Sequence, residues 1–62
     1  MPTISTKELS GLEDILASEQ NLVSKFTTYS EMSQDPQLKE KFRNVAQRHQ
    51  QHFDTLVTYL NQ

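Results

Sequence analysis

Ser33-Gln34-Asp35-Pro36 is the stretch that decides the fold, because it is the one convincing break in a helix-forming chain of 62 residues. Asp35 suits a helix N-cap, and Pro36 suits the first helical position, where its missing N–H is no loss. A connection this short makes the segments on either side antiparallel neighbours. Downstream, Leu38, Phe42, Val45, His49, His52, Leu56 and Tyr59 alternate spacings of four and three, and Ala46, Phe53 and Leu60 make a flanking row. Upstream, Leu9, Leu12, Leu16, Val23 and Phe26 are spaced 3, 4, 7 and 3; Glu19 fills the gap of seven and Ser30 continues the series. Ile15, Leu22 and Tyr29 form a second row that widens the apolar stripe. Ser5-Thr6-Lys7-Glu8 reads as a capping box after a frayed lead-in at residues 1–4. The predicted fold is all-α: a single domain over 1–62, an antiparallel helical hairpin with helices at about 6–32 and 36–61. Gly11 costs its helix roughly 1 kcal/mol relative to alanine, and marks either close packing or nothing.

A chain this short buries too little surface to be secure by itself, and proteins of this size need disulfides, a metal or oligomerisation. There is no cysteine, which excludes disulfides and thiolate metal sites and fits a reducing compartment. What remains is pairing with a second copy, a metal held by N and O ligands, or both. The apolar stripes are wide enough that one hairpin leaves half of each wet, so a homodimeric four-helix bundle is expected. The net charge of −2 does not suggest a nucleic-acid partner. The start lacks the basic n-region and apolar h-region of a signal peptide. No apolar run approaches the ~20 residues of a membrane span, so a cytoplasmic protein without a membrane partner is expected.

Three polar residues fall where the pattern demands apolar ones: Glu19, His49 and His52. In a hairpin folded about residue 34, positions whose numbers sum to about 68 face each other, which sets Phe26 against Phe42 and Glu19 against His49. His52 follows one turn on. A buried carboxylate must be paired, protonated or metal-bound. Two imidazoles at i and i+3 with one carboxylate suit Zn²⁺ with an open fourth position, or Fe²⁺ or Mn²⁺ with more. The same three groups also make a buried hydrogen-bonded layer that sets register and oligomeric state without chemistry. Both readings stand on spacing alone. Tyr29 and Tyr59 read as packing residues, and Lys39, Lys41, Arg43 and Arg48 as a solvated basic face. No nucleophile–base pairing, Gly-rich phosphate loop or nucleic-acid motif is present.

Ser18-Glu19-Gln20-Asn21-Leu22, Phe26, Asp35-Pro36-Gln37-Leu38 and His49-Gln50-Gln51-His52 together resemble the spore coat protein F family of spore-forming bacteria. The resemblance covers about residues 7 to 60. That family is similar in turn to one half of the ferritin-like and rubrerythrin-type bundles. The resemblance implies a ferritin-like half-bundle, a spore-coat location and other coat proteins as partners. Glu19 matches the first-helix glutamate of the di-iron motif and His52 the motif histidine, whereas His49 stands where a bridging glutamate should be. The resemblance therefore implies the fold rather than oxidase or ferroxidase activity. Three functions follow: a coat-F-like structural or interaction protein; alternatively, a metal-binding protein or metalloenzyme using Glu19, His49 and His52; and, disfavoured by charge, an RNA-binding hairpin like Rop.

Overall fold

The computed structural model describes residues 4–61, so the predicted lead-in, save for Ile4, and the terminal Gln62 lie outside the described residues. Helix α1 spans Thr6–Met32 and helix α2 spans Pro36–Val57, followed by a 3₁₀ turn over Thr58–Asn61. The two helices pack as a hairpin.

Local chemistry sets each boundary. At the start of α1, the Ser5 hydroxyl accepts from the Glu8 backbone N–H at 3.1 Å, and the Ser5 N–H donates to the Glu8 carboxylate at 3.1 Å. At its end, Ser33 leaves helical geometry while its N–H still donates to the Tyr29 carbonyl at 3.0 Å. Asp35 then caps α2: one carboxylate oxygen accepts from the Gln37 and Leu38 N–H groups at 2.8 and 3.2 Å. The expectation of one helix to residue 61 is corrected at its last turn. After Val57 the chain tightens to a 3₁₀ turn, and the Thr58 hydroxyl donates to the Thr55 carbonyl at 2.6 Å.

Across the hairpin the predicted register holds, with the Phe26 and Phe42 rings 6.0 Å apart. The rotation of α2 about its own axis differs from the expected one. Ala46, read as flanking, is the most buried residue of α2 at 6 % exposure, and Leu16 of α1 is 9 % exposed. Buried Ser30 donates its hydroxyl to the Lys39 carbonyl at 3.2 Å. Small side chains at Ser30 and Ala46 let the backbones approach on that side. This turns the line Leu38–Val45–His52–Tyr59 outward onto the other face, which we call the front. Tyr29, Met32, Leu38 and Phe42 line a hollow there. Ile15 and Leu22 stand two heptads and one heptad before Tyr29 and share its side of α1.

The hairpin is one helix thick: its principal extents are 47 × 17 × 11 Å. With no second layer, Leu16 and Ala46 are the only buried apolar residues among those described. The chain exposes 4901 Å², whereas a folded monomer of its 7.2 kDa exposes roughly 4,100 Å² by the usual scaling. Of the large apolar side chains left exposed, Ile15, Tyr29, Met32, Leu38 and Tyr59 belong to the front.

A methyl group added at Gly11 would meet nothing within 4 Å, so within the hairpin this glycine does not serve close packing. Gly11→Ala should raise the unfolding free energy by about 0.5–1 kcal/mol, and Asp35→Ala should lower it by about 1 kcal/mol, both read from urea melts. The hydrogen bond from the Glu8 amide's partner side chain, Ser5, and then that from the Ser5 backbone, hold the Glu8 carboxyl below its ordinary value. A carboxyl lowered on folding adds stability above its unfolded pKa and loses it as pH falls through the folded one. The stability gap between wild type and Ser5→Ala should therefore shrink on acidification through that range, as measured by thermal melts; a constant gap would contradict the coupling.

Candidate metal centre

Glu19 sits at the midpoint of α1, with thirteen helical residues on either side. His49 and His52 come from the second half of α2, one turn apart. The structure brings all three together. Oε1 of Glu19 accepts from Nδ1 of His49 at 2.5 Å, and Oε2 lies 3.3 Å from Nδ1 of His52. A carboxylate has only acceptors to offer, so the close imidazole nitrogen carries the proton in this arrangement.

The surroundings grade the three groups. The side chains of Glu19 and His49 are 13 % and 24 % exposed, while that of His52 is 52 % exposed. The expectation that all three lie in a dry seam is thus corrected for His52 in the single chain. The cause is the rotation of α2, which puts His52 on the front with Leu38, Val45 and Tyr59. Phe26 stacks over the His49 ring at 6.5 Å and 17°, closing one wall. The two imidazoles meet edge to face at 5.7 Å. Spacing alone reads Phe26 as core; its place one heptad after Glu19 is the signal that it also walls the polar group.

Chemically, the cluster offers one carboxylate and two imidazoles whose ligand atoms lie within 4.8 Å of one another. Tetrahedral Zn²⁺ with bonds of ~2.0–2.1 Å needs ligand atoms about 3.3 Å apart, which is within reach of modest side-chain rotation, most easily at exposed His52. A di-iron centre does not fit, because a single carboxylate cannot bridge and neutralise two cations as several do. The hydrogen-bonded layer fits as well. Each Glu19 oxygen faces an imidazole, and among the described residues no buried side-chain N or O lacks a partner. The groove on the opposite face, lined by Val23, Thr27, Ser30, Arg43, Ala46 and Gln50, does not meet the cluster.

No protein family, curated protein or solved structure matches the chain.

Removing the carboxylate should show how the layer is graded. Glu19→Ala should cost about 1–3 kcal/mol, because it strands the half-buried His49 N–H, and His52→Ala should cost less. Double-mutant cycles at fixed protein concentration should give a larger coupling for Glu19 with His49 than for Glu19 with His52. Equal couplings would contradict the asymmetry of the cluster.

Proposed function

We propose that this chain is an interaction protein that pairs with a second copy through its front, forming a homodimeric four-helix bundle. Each hairpin is then half of a ferritin-like bundle. The single observation that carries the reading is the surplus surface. The chain exposes roughly 800 Å² more than a monomer of its mass, close to the ~800 Å² that each partner contributes to a standard interface. The large apolar side chains within that surplus fall mostly on one face.

Charge favours a particular arrangement. Helix α1 carries five carboxylates and two lysines, net −3, while α2 carries four cations and two carboxylates, net +2. Laying α1 of one copy over α2 of the other sets opposite charges together; α1 over α1 sets like charges together. In the biological setting, the stretches around Glu19, Pro36 and His49 support a coat-F-like structural role in sporulating cells, with other coat proteins as partners. The basic face of α2 is partly answered within the helix, where Arg43 pairs with Glu40 at 3.0 Å, so an RNA-binding role has little to draw on. No described helix is long and apolar enough to cross a membrane.

A second reading, a metal-binding protein using Glu19, His49 and His52, is favoured by the convergence of their three ligand atoms. The two readings are compatible, since a paired bundle can hold ions in its middle layer.

Sedimentation equilibrium tests the first reading. The wild-type chain should run at twice 7.2 kDa at micromolar concentration. Ile15→Lys, at an exposed front position, should shift it to the monomer without first losing helix by far-UV circular dichroism. A wild-type monomer would overturn the reading.

A further inference from the structure

We infer that the Glu19–His49–His52 cluster is a zinc-type site whose open side faces the pairing surface, so that a divalent transition ion regulates assembly. This rests on the pairing reading above and deepens it. Three observations carry the inference.

The first is the direction in which the site opens. Glu19 and His49 are largely enclosed and Phe26 covers the His49 ring, while His52 is half exposed on the front. A three-ligand ion leaves its fourth position on the least covered side. That side belongs to the same face as Ile15, Leu22, Tyr29 and Leu38, which a second copy would cover.

The second is the level of the site. Glu19 is the middle residue of α1. Two hairpins paired about a twofold axis without a slip along the helices therefore bring both clusters to one height, whichever way the copies are turned. With α1 over the partner's α2, each exposed His52 lies above the Glu19 level of the other copy.

The third is electrostatic. Pairing without metal moves the half-exposed His52 imidazole of each copy out of water beside an already enclosed carboxylate, which costs free energy. An ion on each cluster supplies ligand bonds to these groups as they lose solvent. On binding, the ion takes the place of the His49 Nδ1 proton, and the imidazole then carries that proton on Nε2. Metal and second copy thus each raise the affinity for the other by one common factor.

The test is sedimentation equilibrium of the untagged full chain in EDTA and with one equivalent of Zn²⁺, with equilibrium dialysis for stoichiometry. Zinc should bind at one ion per chain and tighten the dimer by about 5- to 150-fold, the usual range for coupled sites. His52→Asn and Glu19→Gln, each compared with its own association constant in EDTA, should lose most of the zinc response, and Mg²⁺ should leave wild type unchanged. Zinc that binds without changing the association constant overturns the inference, as does a His52→Asn variant that responds like wild type. A chain that pairs in EDTA and takes up no zinc overturns this inference alone. A chain that is monomeric in both conditions overturns the pairing reading as well.

Discussion

A carboxylate in the seam between two helices needs donors, and the groups that meet Glu19 are the imidazoles of α2. The 2.5 Å contact of Glu19 with His49 is therefore a constraint on the whole hairpin. Sliding α2 by one turn, about 5.4 Å, in the direction that carries both imidazoles away from Glu19 would leave the carboxylate unanswered, and the opposite slide would leave it His52 alone and carry His49 past it. The apolar contacts are less demanding: the Phe26 and Phe42 rings would find other partners a turn away. The polar layer thus selects one register from several that hydrophobic burial tolerates. The short Ser33–Asp35 connection limits the choice from the other end.

That same layer ties the fold to the proposed function. Holding His49 in the seam leaves His52 one turn on, at the edge where the seam meets the front. Because the molecule is one helix thick, none of the described residues covers that edge. Polar groups at mid-height and apolar side chains above and below them form a surface that has a middle. Such a surface distinguishes an aligned pairing from a slipped one, which an unbroken apolar stripe would not.

Most of the hairpin was legible in the sequence because its signals are local. The Ser5–Glu8 box, the Asp35 cap, the proline at the first turn of α2 and the register that set Glu19 against His49 each depend on a few neighbouring residues or on simple spacing. The roll of α2 was not legible. Phe42, His49 and Leu56 belong to two heptad lines at once, one continued by Val45 and His52 and the other by Ala46 and Phe53. Hydrophobicity favours the first line, since alanine is weakly apolar. Close approach favours the second, since Ser30 and Ala46 are small, and the backbones took it. The exposure of His52 follows from that choice. The 3₁₀ ending was not legible because Tyr59 and Leu60 continue the apolar spacing while the Thr58 hydroxyl competes for a backbone carbonyl.

The claim at the centre of this account is that the front of one hairpin lies on the front of another, α1 over α2, with both polar layers level. Isotope-filtered NOE spectroscopy on a mixture of labelled and unlabelled chains reads those contacts directly. The account predicts intermolecular cross-peaks between Leu22 and Val45 methyls and between Ile15 methyls and the His52 ring. Intermolecular cross-peaks confined to the groove of Val23 and Ala46, or none at all at a concentration where the protein is folded, would contradict it.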